Sequence, residues 1–258
     1  MKAKKSFGQN WLRDEYTLDL ITESAAITNK DTVLEVGPGL GYLTNKLAKQ
    51  AGKVVCVEAD QDLIPHLNHQ FGSVSNVEII QADILKYNLT QLPKNYLVVA
   101  NIPYYLTSNL IRQLLESNNP PSRMVLMVQK EVAERIVAGS GQMSVLSFSV
   151  QYYAEAEIVS LVAKELFEPI PKVDSAIIKI TRRLEPAFEA DTKKLFKLVK
   201  AGFGEKRKML RNSLAGGLQL DPAQVEELLK QSGLEPTARA QELSVLDWQK
   251  LYEGYIKS

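Results

Sequence analysis

Between residues 32 and 128 the apolar positions gather into short runs: Thr32–Val36, Val54–Val57, Val77–Ile80, Tyr96–Ala100 and Arg123–Val128. Runs of this length bounded by glycine, proline or polar clusters read as strands buried on both faces. The intervening stretches carry helical spacing, from about Tyr42 to Gln50 and again over Glu131–Val137, and a first helix is expected over Glu15–Ala25. Ile158–Leu161 and Ala176–Thr181 read as two closing strands. Ser144–Tyr153 fits helix or strand equally by its apolar pattern. Beyond Glu185-Pro186 the pattern changes to helices only, over residues 192–203, 206–215, 222–232 and 245–256, with Asp221-Pro222 as an N-cap and first position and Gly233 as a stop. The prediction is an α/β fold with a seven-stranded, largely parallel sheet and a small all-helical domain. Its parts are an arm at residues 1–13, a sheet domain at 14–184 and a helical domain at 185–258.

Composition narrows the class. At 258 residues, 45% hydrophobic and 24% charged, the chain suits one large domain plus an appendage. A single cysteine, Cys56, excludes a disulfide framework and falls inside a strand, as a small core residue would. His66 and His69, with that one cysteine, do not make a zinc site, so no metal is expected. No apolar run approaches the roughly 20 residues needed to span a membrane, and the basic amino terminus lacks the apolar stretch of a signal peptide. The expectation is a cytoplasmic chain with no membrane contact.

The net charge of +1 hides a segregation. The arm holds Lys2, Lys4, Lys5 and Arg13 with no acid. Residues 193–211 hold Lys193, Lys194, Lys197, Lys200, Lys206, Arg207, Lys208 and Arg211 against Glu205 alone, leaving the rest of the chain acidic. Nearly unrelieved like charge along a helix repels itself, and a basic arm and helix on an acidic body form the footprint expected for a phosphate backbone. Lys4, Lys5, Lys206, Arg207, Lys208 and Arg211 are the candidate contacts to such a backbone, which the family resemblance described below makes RNA.

Two loops at strand ends carry candidate chemistry. After Thr32–Val36 comes Gly37-Pro38-Gly39-Leu40-Gly41, a turn that lets a ligand approach the main chain closely. The next strand ends at Glu58, placed to accept from ribose hydroxyls, and the third is followed by Asp83, placed to take an adenine amine. The pattern fits a nicotinamide dinucleotide or S-adenosylmethionine. The G-x-G-x-G spacing, the lack of a basic residue in the loop and the flanking Glu35, Glu58 and Asp83 suit the cationic, phosphate-free S-adenosylmethionine better.

The fourth run leads directly into Asn101-Ile102-Pro103-Tyr104. An exocyclic amine on adenine is a poor nucleophile, because its lone pair is delocalised into the ring. A carboxamide oxygen on Asn101 and the carbonyl of Ile102 can each accept one amine hydrogen, favouring a more pyramidal nitrogen aimed at a methyl donor. Pro103 stiffens the turn, and Tyr104 offers a face for stacking worth roughly 1–3 kcal/mol.

Taken together, these motifs resemble the ribosomal RNA adenine dimethyltransferases over nearly the whole chain. Lys5–Leu12 (KSFGQNWL) is similar to that family's K-x-F-G-Q-N-F-L opening. Val36–Gly41, Asn101–Tyr104, Gln129–Arg135, Phe167–Ser175 and Lys206–Leu214 match five further motifs in order. The erythromycin-resistance branch shares the glycine loop and the tetrad but usually lacks the forms found here at 129–135 and 206–214. The resemblance implies a Rossmann-like class I methyltransferase sheet with cofactor contacts at Asn10, Leu12, Gly37, Glu58, Asp83 and Asn101, alongside Gly39 and Gly41 of the loop. It implies that Phe167 closes over the target adenine opposite Tyr104. It also implies dimethylation of two adjacent adenosines in the terminal hairpin of small-subunit rRNA, a small-ribosomal-subunit partner and a role in assembly; a monomer is expected. Departures are Trp11 for a common Phe, Tyr105 for Asn in some members, Asn109 for Pro, and Gly204-Glu205 for a more polar or basic pair. Two rivals remain open: another nucleic-acid target, and a non-catalytic RNA-binding role.

Overall fold

The computed structural model describes residues 3–4, 7–205 and 208–257. Among the described residues nine strands form two sheets. The larger contains β2 (Thr32–Val36), β3 (Lys53–Glu58), β4 (Val77–Gln81), β5 (Leu97–Asn101), β6 (Arg123–Gln129), β7 (Ala154–Val162) and β9 (Ser175–Arg182), in the order β4-β3-β2-β5-β6-β9-β7. The five from β4 to β6 run parallel, and β9 lies antiparallel to β6. The smaller sheet pairs β1 (Trp11–Leu12) with β8 (Phe167–Glu168), Leu12 opposite Phe167. The seven-stranded sheet matches the sequence expectation, with strand bounds shifted by a few residues.

The runs in β2, β3, β5 and β6 are buried on both faces, whereas the edge strand β4 is only half-buried. Val33, Val54, Val99 and Val125 are fully buried and pack in one cluster with Leu18, Ile21, Leu47 and Cys56. Each such side chain contributes roughly 1.5–3 kcal/mol on burial. Helix α1 (Glu15–Ala25) is capped by Asp14, whose carboxylate accepts from the Thr17 amide. It turns Leu18 and Ile21 into this cluster. The remaining helices of the sheet region are α2 (Tyr42–Ala48), α3 (Ile64–Phe71), α4 (Thr107–Glu116) and the start of α5 (Lys130–Val137). From β2 the chain adds β3 and β4 on one side, then crosses back to add β5 on the other. Such a reversal opens a crevice at the carboxyl ends of the strands.

The chain divides into two compact units, residues 1–134 with 155–182, and residues 135–154 with 183–258. The second contains α6 (Val145–Tyr153), α7 (Thr192–Gly202), α8 (Leu210–Leu218), α9 (Pro222–Gln231) and α10 (Val245–Tyr255). The division departs from the single boundary expected at residue 185, because α6 belongs with the later helices. Its Phe148 and Tyr152 rings stack on each other and meet Phe196 edge-on; Phe148 also meets Trp248 and Tyr152 meets Phe188. A helix buried on most of its surface shows no amphipathic stripe, which is why its spacing is ambiguous. The helix expected from residue 206 instead starts at Leu210. Met209 is extended and Leu210 donates its amide to the Ala238 carbonyl at 2.7 Å, so Lys208 precedes the helix. Lys5, Lys206 and Arg207 lie outside the described residues. No helix among the described residues is long and apolar enough to cross a membrane.

Candidate active site

A cavity of about 340 Å³ opens at the carboxyl ends of β2, β3, β4 and β5, within the first unit. The segment from Phe7 to Leu12, the glycine loop, Glu58, Asp83 and the whole Asn101–Tyr104 tetrad line it. Asn10, Leu12, Gly37, Gly39, Glu58, Asp83 and Asn101, scattered along the sequence, are therefore brought together.

The loop after β2 is built around left-handed backbone. Gly37 and Gly39 have φ of 67° and 61°, which a side chain would strain. A Cβ on Gly37 would meet Pro103 at 3.9 Å, so the loop and the tetrad face each other closely. Gly41 has a different duty from the ligand contact expected of it. It does not line the cavity; it caps α2 at φ 80°, and a Cβ there would come within 2.5 Å of the Phe71 ring.

Glu58 ends β3 with 6% of its surface exposed. One oxygen accepts from the Gly39 amide at 3.2 Å and the other from the Asp60 amide at 2.8 Å. Burial raises its pKa, while those backbone donors pull the other way. Glu35 is more deeply buried, at 1%, and burial pushes its carboxyl up to about 7. The Cys56 thiol donates to it at 3.4 Å, and burial beside Glu35 drives that thiol well up in turn. Asp83 is exposed; one oxygen accepts from the Leu85 amide at 3.0 Å, leaving the other for a ligand.

Asn101 sits at the end of β5, half-buried, and its side-chain nitrogen donates to the Asn10 carbonyl at 3.1 Å. That bond fixes the amide so that its oxygen is the free end. The Ile102 amide donates to the Met127 carbonyl on β6 at 3.3 Å, holding the tetrad to the sheet. The Tyr104 hydroxyl shares a 2.7 Å hydrogen bond with Ser175, and burial raises its pKa.

Phe167, expected to close over the target adenine, lies in the core. It is 3% exposed, does not line the cavity, and packs in the cluster of Leu12, Leu18, Val125 and Ile177 because β8 pairs it with Leu12. Lys4 likewise differs from a free phosphate contact: its ammonium lies 2.6 Å from both Asp60 and Asp62, which raise its pKa. Arg211 pairs with Glu226 at 2.8 Å and Lys208 with Glu205 at 2.6 Å. The exposed cations on α7 are Lys193, Lys194, Lys197 and Lys200, with Lys193, Lys197 and Lys200 on one face at helical spacing.

Two residues of the site escape the sequence reading. Asp60 is 2% exposed and receives Lys4, the Gln9 amide at 2.9 Å and the Asp62 amide. Gln9 in turn accepts the Lys4 amide at 2.7 Å, tying the arm to the loop after β3. The sequence signal for Asp60 is a second carboxylate two positions past Glu58, and Gln9 falls inside the Lys5–Leu12 motif without a role of its own there. Among the described residues no cluster of histidine, cysteine, aspartate or glutamate could hold a metal ion.

The model for ribosomal RNA adenine dimethylase matches residues 1–257. A ribosomal RNA small subunit methyltransferase A from Dehalococcoides mccartyi is 45% identical over 99% of this chain and 89% of its own length. Among solved structures, a dimethyladenosine transferase from Plasmodium falciparum superposes with a TM-score of 0.81 at 28% identity, covering 95% of this chain and 97% of that one. The 23S rRNA methyltransferase ErmE superposes at 0.76 with 31% identity, covering 95% and 99%.

Proposed function

The chain belongs to the ribosomal RNA adenine dimethylase family, and from that premise we propose that it transfers methyl groups from S-adenosylmethionine to the exocyclic amines of two adjacent adenosines near the 3′ end of small-subunit rRNA. The observation that carries the chemistry is the Asn101–Asn10 hydrogen bond at the wall of the cavity. It leaves the carboxamide oxygen to accept an amine hydrogen beside the loop where a cofactor would lie.

The cavity residues fit that cofactor. Three carboxylates, Glu35, Glu58 and Asp83, line it together with three positive-φ glycines, Gly8, Gly37 and Gly39, and no lysine, arginine or histidine among the described residues does. This suits a cationic ligand without phosphates. Glu58 would hold the ribose, Asp83 the adenine amine, and Gly37 and Gly39 the main-chain approach. When bound, the sulfonium supplies an electrophilic methyl group. Asn101 Oδ1 and the Ile102 carbonyl accept the amine hydrogens, and Tyr104, steadied by Ser175, offers the stacking face for a base taken out of its helix. Positioning of this kind supplies most of the rate. Phe167 contributes by packing beside Leu12 rather than by covering the base.

The small-subunit target is favoured by the 45% identity to a small-subunit enzyme against 31% to a large-subunit one. In the same reading the protein acts as a monomer, and α7 and the segment after it contact the rRNA backbone. Incubation with S-adenosylmethionine and under-methylated small subunits, followed by mass mapping, should find two neighbouring adenosines each carrying two methyl groups. Methylation confined to large-subunit rRNA, or none at all, would overturn this.

A further inference from the structure

Trp11 is 8% exposed and lines the cavity, and its indole nitrogen makes no hydrogen bond. Buried donors are nearly always paired, because an unpaired one forfeits its hydration without return. A Cβ built on Gly39 would lie 3.2 Å from Trp11 Cδ1 and 3.3 Å from Nε1, so the nitrogen-bearing edge of the ring rests against the glycine loop. The Gly39 amide is already committed to Glu58. The cavity is lined by carboxylates and, among the described residues, by no cationic side chain. S-adenosylmethionine carries one anionic group, the carboxylate of its amino-acid tail, and that group needs neutral donors here.

We infer that Trp11 Nε1–H is a cofactor-binding donor that recognises this carboxylate. The inference rests on the reading of the cavity as an S-adenosylmethionine site. Tryptophan supplies what a phenylalanine at the same position cannot: a flat ring of similar packing with one N–H on its edge. Recognition through a neutral donor also keeps a positive charge away from the sulfonium, which a lysine or arginine would repel.

The test compares two ligands on the intact protein by titration calorimetry: S-adenosylhomocysteine and its decarboxylated analogue, which keeps the amine and lacks the carboxylate. Trp11→Phe should bind S-adenosylhomocysteine on the order of ten- to a hundred-fold more weakly, the size expected for a hydrogen bond to a charged group. It should bind the decarboxylated analogue within about twofold of wild type. If Trp11→Phe does not fold, replacement of Trp11 by benzothienylalanine, which keeps the bicyclic shape without the N–H, carries the same comparison. Equal losses for both ligands would make Trp11 a packing residue only, and no loss for either would remove it from recognition; both overturn the proposal. Wild-type protein that fails to bind S-adenosylhomocysteine would overturn the cofactor reading and this proposal with it.

Discussion

The side-chain nitrogen of Asn101 donates to the backbone carbonyl of Asn10 at a separation of 3.1 Å. One end of a carboxamide is thereby committed to holding its orientation, and the other is left for chemistry. Asn101→Ala removes both. By analogy with the removal of one donor that acts mainly in a transition state, single-turnover methylation should fall on the order of 10²- to 10³-fold. Binding to small subunits should change little. Turnover near wild type in rapid-quench measurements would end the amine-orienting role.

Glu58 does two jobs, and its variants should separate them. Glu58→Ala should weaken S-adenosylhomocysteine binding by about 1–3 kcal/mol through loss of the ribose acceptor. It should also lower the melting temperature without ligand, because the Gly39 and Asp60 amides lose their acceptor. Glu58→Gln keeps one acceptor oxygen but turns a donor nitrogen toward the other amide, so it should recover only part of the stability and part of the affinity. Calorimetry and thermal unfolding on the same samples check both.

Glu35 sets a pH dependence. Its folded pKa of about 7 stands above the ordinary 4.5, raised by burial, so between those values the folded protein holds a proton that the unfolded chain has released. Stability is therefore greatest below that window and falls as pH rises through it, by up to about 3 kcal/mol. Glu35→Gln imitates the protonated form and should flatten the dependence in urea unfolding measured across the window. A profile identical to wild type would mean that Glu35 is ionised in the folded protein.

The cations of the helical unit should divide by whether they are paired. Lys193, Lys197 and Lys200 share an exposed face of α7, so their joint change to Ala should weaken rRNA binding. The log–log salt dependence should flatten by roughly 0.7–0.9 units for each phosphate that is no longer neutralised. Arg211 is tied to Glu226 and half-exposed, so Arg211→Ala should cost at most about 1 kcal/mol of stability and leave the salt slope nearly intact. Filter-binding titrations over a range of salt concentrations, paired with melting curves, decide this. A flattened slope for Arg211→Ala alone would show that Arg211 leaves Glu226 for the rRNA.

Much of this architecture is legible in the chain because burial on both faces writes itself plainly into Val33–Val36, Val54–Val57 and Val98–Ala100. The glycine loop and the tetrad are equally legible, since their chemistry is local to a few consecutive residues. What cannot be read are relationships between distant segments. Gly41 looks like Gly37 and Gly39 until Phe71 arrives against it. Phe167 looks free to cover a base until β8 pairs it with Leu12 and sinks it in the core. Lys4 looks like a backbone contact until Asp60 and Asp62 claim its charge. Lys208 looks helical because spacing alone does not show where a following extended residue, Met209, delays the start of the helix.

The two-residue ladder between β1 and β8 has a consequence for biosynthesis. Trp11 and Leu12 leave the ribosome long before their pairing partners Glu168 and Phe167, which come only after six strands of the main sheet have been made. Domains can begin to fold during synthesis, and contacts between widely separated residues form late because a long loop must first be closed. The segment lining one side of the cavity therefore has no strand partner until β8 has been made. A nascent chain stalled before Phe167 can contain the glycine loop, Glu58 and Asn101 and still lack the finished pocket, so competence to hold the cofactor is a late event in the life of each molecule.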